Sequence, residues 1–139
     1  MVSVGKHILL LSAFADEAVP NQAGEALAST MGLEWVRVSG SPVAPRFVPP
    51  LPVKQAPVMG NVTVAGNPVT AATVMIQPAT HSMLDRRMGR QTVEPAFPPF
   101  VPLPMPVTIE NPIVELQTML GDFAASFLAG QPPTVSNPF

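Results

Sequence analysis

The chain has 139 residues, of which 47% are hydrophobic and 12% charged, and 7 Lys and Arg against 9 Asp and Glu give a net charge of −2. The charged fraction is about half that of an ordinary soluble domain, and the 19 prolines are roughly three times the usual share. These values exclude an electrostatic nucleic-acid binder, which needs a basic surface, and solvated disorder, which combines low hydrophobicity with high net charge.

The first recognisable feature is a short apolar run, Ile8 to Leu11, that follows Lys6. We interpret it as a buried strand or the start of a helix. The alternative is a short signal peptide, because Ala13–Ala15 resembles a cleavage site after an apolar segment. The sequence contains no apolar run of about 18 residues, so we predict no membrane-spanning helix.

A helix and a strand are predicted next. Asn21 is a good N-cap and Gly32 a good C-terminal stop, and the small apolar residues between them suit a helix of about three turns. The segment Leu33–Val38 contains tryptophan and valines, which favour extended structure. We therefore predict a strand there.

One pattern occurs twice. Val36–Val43 and Val62–Val69 both read Val-x-Val-x-Gly-x-Pro-Val. Alternating valines predict a half-buried strand, and Gly-x-Pro predicts a turn out of it. Since two copies are too few for a solenoid, we interpret the pattern as a strand–turn unit that is used twice.

The second copy continues to Ile76, and it matches the pattern Gly-x-Pro-Val-x-x-Ala-x-Val at Gly66, Pro68, Val69, Ala72 and Val74. Over about 15 residues it resembles the first hairpin of prealbumin-like and carboxypeptidase-regulatory-like β-sandwich modules. The resemblance implies a β-hairpin. The alternative, a short helix capped by the Asn-Pro pair, is less favoured because the segment is rich in β-branched residues.

Two tracts are rich in proline, and they differ in charge. Pro42–Pro57 contains Arg46 and Lys54, whereas Pro95–Pro106 is uncharged and the chain stays uncharged to Ile109. Proline fixes φ and removes a backbone donor, so both tracts are predicted to be extended and close to polyproline II.

The segment between the tracts is the most polar part of the chain. Ser82-x-x-Asp85 resembles a capping box and predicts a short helical turn that ends near Gly89. A cationic cluster in this segment is a candidate contact for an anion or a partner's carboxylates, with a solvated turn as the alternative. Its members are Arg86, Arg87 and Arg90.

The carboxyl-terminal helix is the clearest predicted element. Asn111 is predicted as the N-cap and Pro112 as the first helical residue, and Gly130 ends the helix. Only two charged residues lie between them, so we expect the helix to be covered on more than one side. Its apolar stripe is Ile113, Leu116, Leu120, Phe123 and Phe127, widened by Met119, Ala124 and Leu128.

No constellation of residues indicates catalysis. The chain has no P-loop, no Rossmann glycine pattern and no Gly-x-Ser-x-Gly nucleophile elbow. It has no cysteine, and its two histidines, His7 and His81, are too few for an imidazole zinc site. The Pro-x-x-Pro spacings lack the nearby basic residues of an SH3 ligand. We predict a protein that is not an enzyme and has no catalytic residues, metal site or cofactor.

The predicted fold class is a small mixed α+β domain, with a β-hairpin core, two to three short helices and long proline-rich extended segments. The single domain, 1–139, divides into a helix/strand region 1–41, a proline-rich strap 42–57, a hairpin and polar turn 58–94, an apolar proline-rich strap 95–110, a helix 111–130 and a tail 131–139.

An apolar strap that cannot join the middle of a sheet forms an interaction patch if it is left exposed. We therefore hypothesise a non-catalytic structural subunit of a large protein assembly, most specifically a cement, decoration or minor structural protein of a virus or phage particle. Its partners would be other subunits of that assembly, a homo-oligomer included. The alternatives are a prealbumin-like β-module that binds a ligand or surface partner, and an accessory subunit of a cellular complex. The predicted partner-binding residues are Phe97, Phe100, Leu103, Met105, Leu116, Leu120, Phe123 and Phe127.

Overall fold

The computed structural model describes residues 5–13, 21–39, 51–76, 79, 91–93, 107–109 and 112–139. These residues form a small mixed α/β protein with two helices and several short strands. In chain order the elements are β1 (Ile8–Ala13), α1 (Asn21–Thr30), β2 (Glu34–Arg37), β3 (Val53–Gln55), β4 (Val58–Met59), β5 (Val62–Val64), β6 (Asn67–Val69), β7 (Ala71–Ile76), β8 (Gln91–Val93), β9 (Val107–Ile109), α2 (Ile113–Leu128) and β10 (Thr134–Val135).

A four-stranded parallel sheet in the order β1-β7-β2-β3 organises the core. The connection from β1 through α1 to β2 has the length that a parallel crossover requires, and β7 fills the place between the two strands. Ile8 pairs with Ala71, and Glu34 pairs with Ala72. All six residues of β7 are buried, as expected for a central parallel strand that is covered on both faces.

The sheet separates two hydrophobic clusters. On one face, Ala28 of α1 packs with Leu33 and Trp35. On the other face, Leu116 and Met119 of α2 pack with a larger cluster. The alternation of β1 explains the division, because its even-numbered apolar residues face α1 and its odd-numbered ones face α2. The larger cluster also contains Ala13, Val36, Val38, Val58, Ala72, Val74, Ile76, Ala79 and Val135.

The predicted hairpin forms, but it lies beside the core sheet and does not form the core. β5 and β6 are antiparallel, and Ala65 and Gly66 connect them with φ of +50° and +82°. Two consecutive positive φ values are typical of a type I′ turn, which suits the twist of a two-residue hairpin. The next strand, β7, pairs in parallel with β1 and β2. The resemblance to prealbumin-like modules is therefore confined to the hairpin, because those modules are sandwiches of antiparallel sheets.

The two copies of the valine pattern have different environments. Val36 and Val38, in and after β2, are buried in the larger cluster, whereas Val62 and Val64 of β5 are only half buried. The shared pattern reflects a common strand chemistry and not a structural repeat.

The first helix is confirmed in its span and at its carboxyl end, and it begins one residue earlier than predicted, because Asn21 is its first residue and not its N-cap. α1 begins at Asn21, and Gly32 beyond its end has φ of +65°. The Gly32 N–H donates to the Ser29 carbonyl at 3.1 Å, and the Leu33 N–H donates to the Ala28 carbonyl at 3.0 Å. This pair of bonds is a Schellman motif, whose apolar contact between Leu33 and Ala28 leads the chain directly into β2.

The end of the first proline-rich strap enters the sheet. β3, which contains Lys54, pairs in parallel with β2 and is an edge strand. The Trp35 N–H of β2 donates to the carbonyl of Pro52 at 2.8 Å. Pro52 has no backbone N–H, so it joins the edge of the sheet only through its carbonyl. An exposed lysine on an edge strand discourages further strand pairing. The helical turn near Gly89 lies outside the described residues.

Candidate functional site

Helix α2 begins one residue later than the sequence predicts. Pro112 is the N-cap residue, with φ −80° and ψ 65°, and its carbonyl accepts the first helical hydrogen bond, from the Leu116 N–H at 3.0 Å. Asn111 lies outside the described residues. The predicted end is confirmed, because Gly130 has φ of +74° and its N–H donates to the Phe127 carbonyl at 3.0 Å.

The inner side of α2 belongs to the core of this chain. Leu116 and Met119 are fully buried, and Phe123 is partly buried against the same cluster. These three residues recur every three to four positions, so they share one side of the helix. They attach α2 to the sheet.

The side of α2 opposite these core residues is uncharged and exposed. At about 100° per residue, this side is centred on Gly121. The charged residues Glu115 and Asp122 project about 100° or more away from that centre. The Thr118 hydroxyl donates to the Val114 carbonyl at 2.9 Å, so it is satisfied within the helix. We call this side the outer face of α2; its members are Val114, Gln117, Thr118, Gly121, Ala124, Ala125 and Leu128, all exposed.

Leu120 and Phe127 border the outer face. Leu120 is 37% exposed and Phe127 is 58% exposed. The Phe127 ring meets the imidazole of His7 edge to face, with ring centroids 5.9 Å apart and an interplanar angle of 67°. This contact joins the last turn of α2 to the segment just before β1.

The polar side chains near the amino-terminal ends of β2 and β7 bond to one another. The Asn61 amide donates to the Glu34 carboxylate at 2.8 Å and to the Ala71 carbonyl at 3.1 Å, and its oxygen accepts from the Ala71 N–H at 3.1 Å. The buried Thr70 hydroxyl donates to the Pro133 carbonyl and accepts from the Gly60 N–H. These bonds hold strands together, so we assign this cluster a structural role.

The predicted partner-binding residues fall into two groups. Among the helical residues, Leu116 is fully buried in the chain's own core, Phe123 is partly buried there, and Leu120 and Phe127 are exposed beside the outer face. The rest lie outside the described residues: Phe97, Phe100, Leu103, Met105 and the arginines Arg86, Arg87 and Arg90.

The structure describes the residues on either side of the uncharged tract 95–106. β8 and β9 are antiparallel, with Val93 opposite Val107 and Gln91 opposite Ile109. Val93 and Val107, which flank residues 94–106 in the chain, are therefore neighbours. β9 ends three residues before Pro112, the N-cap of α2. The strap and the helix are therefore consecutive features of the chain.

The sequence prediction placed Ala124 and Leu128 at the edge of a single apolar stripe and did not identify the outer face as a separate side. It followed the apolar stripe that includes Leu116, which is the inner side of the helix. The available signal was Val114, Gly121 and Leu128, which recur every seven residues on a helix whose charges lie elsewhere. A second uncharged stripe on one helix indicates a second covered side.

In the part of the chain that the structure describes, no group of three or more His, Cys, Asp or Glu side chains could hold a metal ion. Neither of the two described helices is long and apolar enough to cross a membrane. Comparison with family models, curated proteins and solved structures gives no match for this chain.

Proposed function

We propose that this chain is a non-catalytic structural subunit of a large protein assembly, in which it fastens neighbouring subunits. The observation that carries the proposal is the outer face of α2. Val114 and Leu128 on this face are 70% and 83% exposed, and none of its seven residues is charged. A solvent-facing side of a helix normally carries charges, so an uncharged side favours burial against another protein.

Composition supports the same proposal. A soluble monomeric domain typically has roughly a quarter to a third of its surface residues charged, whereas this chain has 12% charged residues in total. The polar cluster around Asn61 and Thr70 is used for internal hydrogen bonds. The chain is thus poor in exposed charged groups, which keep a soluble protein from associating with other molecules.

The apolar strap supplies the second proposed contact. Its four large apolar residues, Phe97, Phe100, Leu103 and Met105, are the proposed anchors for pockets in a neighbouring subunit. Proline restricts the backbone of the unbound chain, so less conformational entropy is lost on docking. Because β9, which follows the proline-rich part of the strap, ends four residues before α2 begins, one partner surface could engage both features.

The most specific form of the proposal is a cement, decoration or minor structural protein of a virus or phage particle. Its support is the combination of small size, uncharged proline-rich sequence and uncharged helix surface, and its location would be the virion. An accessory subunit of a cellular complex is the alternative with the same physical support. The contact of Arg86, Arg87 and Arg90 with an anion or carboxylate remains a prediction.

The test is the physical state of the chain in its natural source. Particles and large complexes are separated on a density gradient, and the chain is quantified in each fraction by mass spectrometry. We expect it in one particle fraction, at a constant ratio to the major protein of that particle. A chain found only near its monomer mass of 14.6 kDa would overturn the proposal.

A further inference from the structure

We propose that His7 makes the junction at Thr70, where the β5–β6 hairpin meets the core sheet, sensitive to acid, because the imidazole holds this junction only while it is uncharged. The device lies within one chain and does not depend on the proposed function. Nδ1 of His7 accepts a hydrogen bond from the backbone N–H of Thr70 at 3.0 Å. A ring nitrogen that accepts a hydrogen bond carries no proton, so the neutral imidazole has its proton on Nε2.

Uptake of a proton removes this bond. The imidazolium ring has an N–H on both nitrogens, so Nδ1 of His7 would become a donor 3.0 Å from the N–H of Thr70. Two donors cannot share a hydrogen bond, so either the ring turns away or the junction opens. Histidine side chains in general take up this proton at about pH 6.5. The bond is therefore present at neutral pH and lost as the pH falls through the range in which histidine is protonated.

The segment just before β1 connects two parts of the fold. A Cβ at Gly5 would lie 2.7 Å from Cγ1 of Val69 and 2.9 Å from Cβ of Val64, so the backbone of Gly5 packs directly on both strands of the hairpin. Two residues later the ring of His7 meets the ring of Phe127 in α2, with centroids 5.9 Å apart. A movement of His7 therefore acts on the hairpin and on the last turn of α2.

The elements around His7 supply little charge to compensate an imidazolium. β5, β6, β7 and β10 contain no charged residue. On α2, Asp122 projects about 140° away from the residue that contacts the imidazole, and Glu115 lies seven residues farther along the helix. Lys6 has the same sign of charge, and Glu34 in β2 lies on the far side of β7. In the described part of the chain these positions place no carboxylate next to the imidazole.

The end of α2 does not compensate for the lost bond either. The carboxyl end of a helix attracts a positive charge through its carbonyl groups. Here the carbonyls of residues 125–127 already accept hydrogen bonds from the N–H groups of residues 129–131. His7 meets this turn through the ring of Phe127, edge to face, and its hydrogen bond goes to Thr70.

The two histidines of the chain make a specific test possible. Urea unfolding is measured at about pH 7.5 and about pH 5 for the wild type, His7→Asn and His81→Asn. The side-chain oxygen of His7→Asn can accept the bond from Thr70 and does not titrate, and His81 lies outside the described residues. Between the two pH values, the unfolding equilibrium constant of the wild type and of His81→Asn should rise at least about fivefold more than that of His7→Asn. Equal pH dependence of the wild type and His7→Asn would overturn the proposal.

Amide hydrogen exchange of the wild type locates the opening. The N–H of Ala56 is the internal reference, because it donates to the carbonyl of Arg37 at the other end of the sheet order. From about pH 7.5 to about pH 5, the protection factor of the Thr70 amide should fall at least about threefold more than that of Ala56. Equal falls would mean that acid loosens the whole fold, and unchanged protection of Thr70 would mean that the bond does not depend on the charge of His7; either result overturns the proposal.

Discussion

The imidazole Nδ1 of His7 accepts a hydrogen bond from the backbone N–H of Thr70 at 3.0 Å. The backbone carbonyl of Thr70 is also bonded, because it accepts a hydrogen bond from the backbone N–H of Ile8 at 2.8 Å. Thr70 is the residue between β6 and β7, where the chain leaves the hairpin and enters the centre of the sheet. His7 therefore fixes the junction between two differently paired regions.

Replacing His7 tests this role. His7→Ala removes the acceptor and leaves the Thr70 N–H unpaired, so we expect the free energy of unfolding to fall by about 1–3 kcal/mol. His7→Asn is the matched control, because its side-chain oxygen can lie near the position of Nδ1 while the ring contact with Phe127 is lost. Urea unfolding should rank His7→Asn closer to wild type. Equal stability of His7→Ala and wild type would contradict the assignment.

Asn61 should be among the most sensitive polar residues. Asn61→Ala removes bonds to the Glu34 carboxylate and to both backbone groups of Ala71, and we expect a loss of about 2–4 kcal/mol because several partners are left unpaired at once. Glu34→Gln keeps an acceptor oxygen and should cost less. The prediction is wrong if the two variants have the same denaturation midpoint.

Two leucines one turn apart on α2 should behave differently. Leu116→Ala leaves a cavity in a fully buried site, with an expected loss of about 2–5 kcal/mol. Leu120 is 37% exposed, so Leu120→Ala should cost clearly less in the monomer. Thermal unfolding at low protein concentration separates the two. Comparable losses would mean that Leu120 is buried in the monomer.

Gly121→Ala should raise stability and lower association. The added methyl group meets no heavy atom within 4 Å in the described part of the chain and improves helix propensity, so we expect the free energy of unfolding to rise by about 0.5–1 kcal/mol. The same methyl would project from the outer face of α2, which is the proposed contact with a partner subunit. Unfolding of dilute protein and co-sedimentation with the partner particle measure the two effects. A variant that is more stable and associates as strongly as wild type would argue against Gly121 at a contact.

The apolar strap is tested by the double variant Phe97→Ala/Phe100→Ala. It should fold normally and bind its partner subunit at least tenfold more weakly, which corresponds to about 1.4 kcal/mol. Co-sedimentation with particles depleted of the chain measures the binding. A variant that unfolds while binding is unchanged would place the two rings in the chain's own core.

Local signals made the helices predictable. Gly32 and Gly130 act within one turn of the helix ends they define, so their effect can be predicted from neighbouring residues. The sheet was different, because the pairing of Ile8 with Ala71 joins distant parts of the chain. The hairpin pattern near Val69 was correct locally, but nothing adjacent to it specifies that the next strand pairs in parallel between β1 and β2.

The candidate site was predictable in part for the same reason. The low charge of α2 predicted a helix covered on more than one side; in the described part of the chain one side is covered by the sheet, and coverage of the outer face stays a prediction. Which side faces the sheet depends on tertiary packing, and Leu116 and Met119 occupy that side. Gly121 became informative only when the space around it was known.

The pairing of β8 with β9 determines how a pulling force on the apolar strap would be carried. A hairpin pulled apart by its two open ends breaks its cross-strand bonds one pair at a time. A pull on the connection between Val93 and Val107 loads both strands in the same direction, so the bonds between them carry little of the tension. On the β9 side the tension continues past Ile109 to the first turn of α2 and its buried Leu116. A partner that held the strap would thus pull on α2, which Leu116 attaches to the hydrophobic core.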